Sequence, residues 1–114
     1  MTPVRHRPAS LGEFELLVLL SAMRLGDEAY PVAIARDLES RAARKTSRSA
    51  VLITLERLED KELVHSWFGD PTPERGGRPK RFFAVKPRGL QAVRDALERI
   101  HAMGATLEGV LKRG

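Results

Sequence analysis

After Glu62 the hydrophobic pattern of this chain changes period, and that change constrains the fold more than any other feature. Up to that point apolar residues recur at helical spacing. From Leu63 to Phe68 and from Arg81 to Val85 they become β-branched and aromatic, on either side of a loop rich in glycine and proline. Two such runs around turn-forming residues predict a long-looped β-hairpin.

Three helices are expected before the hairpin. Ser10-Leu11-Gly12-Glu13 matches a capping box, in which a serine oxygen and a glutamate carboxylate satisfy orphan amides, so the first helix should begin near Leu11. It carries Phe14, Leu16, Leu17, Val18, Leu19, Leu20, Ala22, Met23 and Leu25, apolar around most of its circumference, with Gly26 as its stop. Pro31 suits the first turn of a second helix, where its missing amide hydrogen costs little, and Val32, Ala35, Leu38 and Ala42 continue at helical spacing. Ser47 can cap a third helix whose Val51, Leu55 and Leu58 form a buried stripe, leaving Arg48, Ser49, Leu52, Ile53, Thr54 and Arg57 on other faces. Three helices and a hairpin, mainly α with little β, make a winged helix-turn-helix over residues 10–86. Residues 1–9, with two prolines and Arg5, His6 and Arg7, read as a basic extended arm.

Pro87 restarts a helix over residues 87–114. Its Leu90, Val93, Leu97, Ile100, Gly104, Leu107 and Leu111 alternate three and four apart like heptad core positions. A seam of that kind asks to be covered, either by its own domain or by a second copy of the chain; the second copy is the expected partner, making this a dimerisation helix. Gly104 interrupts the seam, since glycine inside a helix costs about 1 kcal/mol relative to alanine. It implies either a bend or a close crossing of backbones.

The chain's 114 residues fit one domain with a modest core. Cysteine is absent, which excludes disulfides, thiolate zinc sites and a cysteine nucleophile. There is no apolar run long enough to span a bilayer, and the opening residues lack the apolar centre of a signal peptide, so a cytoplasmic location is expected and no membrane partner. His6, His65 and His101 lack metal-ligand spacing, and Glu13 and Glu15 are explained as helix-start acids, so neither an enzyme nor a metal or cofactor site is expected.

A formal net charge of +5 points to a polyanionic partner, and its distribution is more telling. Arg41, Arg44, Lys45 and Arg48 cluster with no acid among residues 41–48, and Arg75, Arg78, Lys80 and Arg81 crowd the hairpin loop. In a helix-turn-helix the second helix of the motif enters the major groove of double-stranded DNA, its amino-terminal residues nearest the base edges. Here that helix begins at Ser47. Arg48 can read a guanine edge or bind phosphate, Ser49 and Thr54 can hydrogen-bond, and Ile53 can touch a thymine methyl. Arg44 and Lys45 are placed to meet the sugar-phosphate backbone, while Arg57 can face DNA or pair with Glu56 or Glu59. The loop arginines Arg75 and Arg78, with Lys80, have the makings of a wing that reaches a neighbouring groove. Gly76-Gly77 lacks the context of a phosphate-binding loop, so nucleotide binding is rejected.

These motifs resemble the PadR family of transcriptional regulators from Ser10 to the terminal helix. Leu11-Gly12-Glu13-Phe14-Glu15-Leu16-Leu17-Val18-Leu19-Leu20 is similar to that family's first helix. Ala50 to Val64 resembles its recognition-helix signature, and Gly77-Arg78-Pro79-Lys80-Arg81-Phe82-Phe83 its returning wing strand. The resemblance implies a homodimeric, bacterial, repressor-like regulator of the smaller subgroup with one short terminal helix. Some relatives use aromatic side chains to bind flat drugs, so Trp67 is either part of an effector pocket or a half-buried strand tryptophan; the effector itself is left unidentified. Four positions depart from the pattern: Pro31 for a glycine, Leu52 for a tyrosine, Glu62 for a glycine and Lys86 for a helix-capping threonine. Leu52 questions the family's DNA contact there, and Glu62 must close a left-handed helix end differently or under strain. The sequence thus expects a dimer that sets two recognition helices about 34 Å apart on a pseudo-palindromic operator. The rival expectation is a winged-helix protein-interaction module whose basic patches are incidental.

Overall fold

The computed structural model describes residues 10–70 and 79–113. Its elements run α1 (Glu13–Leu25), a 3₁₀ turn (Gly26–Glu28), α2 (Pro31–Ala42), α3 (Arg48–Asp60), β1 (Val64–Phe68), β2 (Arg81–Val85), α4 (Pro87–Gly104), a second 3₁₀ turn (Ala105–Leu107) and α5 (Glu108–Arg113). The basic arm, Arg75 and Arg78 lie outside the described residues.

Helix α1 is central, touching α2, α3, α4 and β2. Its apolar breadth is the cause: Val18 and Leu19 are fully buried, while Phe14, Leu17 and Leu20 flank them half-buried. The helix starts later than expected. Gly12, not Ser10, is the residue before it, and the Gly12 N–H donates to the Glu15 carboxylate at 3.0 Å. Glu15 wins over Glu13 because its carboxylate is also held by Lys61 Nζ at 3.0 Å, which ties α1 to the end of α3. Gly26 ends the helix at φ 56°, a conformation that favours glycine.

Pro31 occupies the first position of α2 as expected, but the buried stripe runs Pro31, Ile34 and Leu38, with Val32 and Ala35 half-buried and Ala42 exposed. Beside this stripe α2 is fastened to α1 by Asp37. Its carboxylate accepts from Ser21 Oγ at 2.7 Å and pairs with Arg24 and Arg41, both at 3.3 Å.

The hairpin is antiparallel, with Val64 opposite Val85, Ser66 opposite Phe83 and Phe68 opposite Arg81. Period-two alternation turns Phe83 and Val64 inward, fully buried or nearly so. The outer edge of β2 is met by the segment before α2, where the Phe83 N–H donates to the Ala29 carbonyl at 2.9 Å. Between α3 and β1, Glu62 adopts φ 64°, and the chain closes with Leu63 N–H on the Leu58 carbonyl and Glu62 N–H on that of Glu59, both 2.9 Å. That is a Schellman closure made without glycine, so the turn carries the backbone strain the sequence implied.

Helix α4 packs only by its first half, which buries Gly89, Ala92, Val93 and Ala96. Gly89 has to be glycine: a Cβ there would overlap the Leu63 carbonyl oxygen and sit 2.7 Å from Val85 Cγ1. At the other end the expected continuous helix breaks into the 3₁₀ turn and α5 immediately after Gly104. Nothing lies within 4 Å of a Cβ built on Gly104, so within the chain the glycine marks a helix break and not a close backbone crossing. No helix among the described residues is long and apolar enough to cross a membrane.

Candidate nucleic-acid interface

Helix α3 is built to be held on one side and bare on the other. Ser47 Oγ accepts the Ala50 N–H at 3.0 Å, which satisfies an orphan donor and fixes where the helix starts. Val51, Leu55 and Leu58 are fully buried, as the stripe predicts. Thr54 corrects the reading: it is only 4% exposed, because its position, three residues after Val51 and four before Leu58, puts it on the inward face. It cannot reach DNA. Leu52 is half-buried against the core. What remains outward is Arg48 and Ser49 in the first turn, then Ile53 at 56% exposure, Glu56 and Arg57. This face offers a cation, a hydroxyl and an apolar side chain along one side of a capped helix, which is the chemistry needed to meet base edges and phosphates.

Arg44 and Lys45 lie exposed in the connection before α3. Arg44 is 3.6 Å from Glu13 and its guanidinium lies over the Phe14 ring, 4.9 Å from the centroid, so it is steered along the side of α1. Arg57 makes neither expected ion pair. Glu56 and Glu59 are both taken by Arg81, which leaves Arg57 exposed and without an ion pair among the described residues. Lys80 lies over the Tyr30 ring at 4.2 Å, a cation-π contact at the root of the wing. Arg81, grouped by sequence with the loop's basic patch, turns away from the loop toward α3. That contact joins residues 25 apart, which local periodicity cannot reveal; the only hint was a pair of acids one turn apart on α3.

Two carboxylates under this surface have shifted affinities for protons. Burial pushes the Glu15 carboxyl up, but the Gly12 N–H, Lys61 and the charge of Arg57 outweigh it and hold the group below its ordinary value. Burial likewise acts on Asp37 and is outweighed by Ser21, Arg24 and Arg41. Both therefore remain ionised and brace α1 against α2 and α3.

On the outer face of the hairpin Trp67 stacks on Phe82 with ring centroids 6.0 Å apart, and His65 lies 5.4 Å from Trp67. Trp67 is 43% exposed, a surface strand tryptophan.

The seam residues divide. Val93 is 3% exposed within a single chain and packs in its own core, so it is removed from the expected dimer contacts. Leu90 sits at the border, whereas Leu97, Ile100, Leu107 and Leu111 are exposed, joined by Met103 at 77% and Val110, neither of which the heptad reading had included. Among the described residues no group of histidine, aspartate and glutamate is arranged to hold a metal ion.

No protein-family model matches the chain, and no curated protein matches it. Solved structures do. A PadR family transcriptional regulator from Eggerthella lenta superposes with a TM-score of 0.66 at 20% identity, covering 90% of this chain and 88% of that one. A PadR family transcription regulator from Clostridium difficile gives 0.67 at 16% identity, covering 88% and 99%. A PadR-like transcriptional regulator from Bacillus cereus gives 0.62 at 15% identity, covering 87% and 93%. At these identities the likeness establishes architecture, and over nearly nine-tenths of its length the chain has the winged-helix fold of PadR family transcriptional regulators.

Proposed function

We propose that this chain is a DNA-binding transcriptional regulator, not an enzyme, that acts as a homodimeric repressor on a pseudo-palindromic operator. The observation that carries the reading is α3: a helix capped by Ser47, buried along Val51, Leu55 and Leu58, and presenting Arg48, Ser49, Ile53 and Arg57 outward. The fold shared with transcriptional regulators supports it. In this reading Arg48 and Ser49 meet base edges, Ile53 meets a thymine methyl, and Arg44, Lys45 and Ser47 lie along the backbone of the same groove. Arg75, Arg78 and Lys80 belong to the wing. The exposed row Leu97, Ile100, Leu107 and Leu111, with Leu90 at its edge, joins two copies and fixes the spacing of the two recognition helices.

Selection of bound fragments from random double-stranded DNA tests the reading and supplies the operator. Binding followed by fluorescence anisotropy should then weaken as salt rises, with a log-log slope of about −5 for roughly six phosphate contacts per dimer. Arg48→Ala should cost about 1–3 kcal/mol on the operator and relax base preference at one position. No selected sequence and a flat salt response would reject DNA binding and favour a protein-interaction module.

A further inference from the structure

We propose that Arg81 is a positioning residue for DNA recognition, clamping the root of the wing to the recognition helix and so setting the spacing of the two elements that meet DNA. The inference rests on the DNA-binding reading above. Arg81 opens β2, and its pairing with Phe68 is the last rung of the ladder before the loop, just inside the Gly69 N–H to Lys80 carbonyl bond at 2.8 Å. All three guanidinium nitrogens are engaged. Nη1 donates to Glu56 and Nη2 to Glu59, each at 3.0 Å, while Nε and Nη2 both lie 3.2 Å from Ser66 Oγ. Glu59 also accepts the Ser66 N–H at 3.1 Å and the Ser66 hydroxyl. The guanidinium lies over the Phe83 ring, 5.0 Å from its centroid, with its side chain 26% exposed. One side chain thus joins β2, β1 and α3.

Two consequences follow from this geometry. The charge of Arg81 is already matched by two carboxylates, so it is not a free phosphate contact. Glu56, which stands on the outward face of α3 near Ile53, is held by Arg81 instead of swinging toward the phosphates. A planar fork spans both acids and the serine with separate nitrogens, whereas a lysine brings one compact ammonium without that spread.

The test compares parent, Arg81→Ala, Arg81→Lys and Glu56→Gln on the selected operator and on random DNA, across salt, with amide hydrogen exchange on each free protein. Arg81→Ala should lose about tenfold in preference for the operator over random DNA, roughly one charged hydrogen bond's worth, on top of the uniform weakening that the loss of a positive charge brings to every DNA, with the salt slope unchanged. Arg81→Lys should recover only part of that loss. Glu56→Gln removes a negative charge from the DNA-facing helix, which by electrostatics alone raises affinity for every DNA; a clamp predicts that preference for the operator falls. Exchange should quicken across 64–68 and 81–85 and stay unchanged in 13–25. If Arg81→Ala does not fold, Glu56→Gln carries the test, because Glu56 is half exposed. Equal losses on both DNAs with a slope reduced by about two per dimer would make Arg81 a direct phosphate contact and overturn the proposal. Unchanged operator preference in Arg81→Ala and Glu56→Gln would reduce the network to a surface ion pair and overturn it too. A parent that binds no DNA would bring down the regulator reading first, and the positioning role with it.

Discussion

The two halves of the C-terminal helical region carry the same apolar spacing and meet opposite fates. In the first half of α4, Ala92, Val93 and Ala96 are buried and Gly89 lets the backbone press against Leu63. Beyond Ala96, through α5, every residue except Gly104 is exposed, although Leu97, Ile100, Met103, Leu107, Val110 and Leu111 continue the pattern. Periodicity therefore shows that a face will be covered, not what covers it. The winged domain ends where α1 and the hairpin run out of surface. Past that point the same stripe is available to a second chain, since a contiguous exposed apolar row marks an association surface.

The sharpest way to break the comparison is to truncate one side chain in each region. Phe83→Ala, in the closed core, should cost about 3–5 kcal/mol in denaturant unfolding because it leaves a cavity where a fully buried ring was. Ile100→Ala, at 61% exposure, should change unfolding by no more than about 0.5 kcal/mol when measured dilute enough for single chains. Equal losses would mean that the C-terminal arm is part of the monomer's core. Acid acts on the closed region next. Because the Glu15 and Asp37 carboxyls are held below their ordinary values in the folded chain, the stability they contribute is full above the ordinary range of about 4 and is lost as pH falls through the lower folded values. Thermal melting should drop on acidification below about pH 4, and Asp37→Asn should be less stable at neutral pH but flatter in acid. A parent and variant with parallel pH profiles would remove Asp37 from that account. At the junction a small gain is expected in place of a loss. Gly104→Ala, with open space around the new methyl, should stabilise the helix by at most about 1 kcal/mol, read as a modest rise in melting temperature.

What the sequence made legible was local. The Ser47 cap, Pro31 at the first turn of α2, the Gly26 stop, the stripe Val51, Leu55 and Leu58, and the bounds of β2 all follow from a few neighbouring residues. Errors arose where two local solutions compete or where distance decides. Ser10 with Glu13 and Gly12 with Glu15 both place a carboxylate three residues after a helix-start amide, and Lys61, 46 residues away from Glu15, selects the second. Thr54 looked like a contact because it is polar, yet its helical phase places it inside. Val93 and Leu97 are indistinguishable as heptad positions and differ only in how far the domain beneath them extends. The Arg81 network joins β2 to α3, and the two acids one turn apart on α3 do not by themselves name their partner.

The central claim, that the exposed row beyond Ala96 joins two copies and so sets the recognition helices on DNA, is tested most directly by sedimentation equilibrium of the parent and of Leu97→Glu at micromolar concentration. The account predicts a dimeric parent and a monomeric variant, because an unpaired carboxylate buried in the interface costs several kcal/mol. Circular dichroism should be unchanged, since Leu97 is exposed in the single chain. A monomeric parent, or a folded Leu97→Glu protein that remains a dimer, would contradict it.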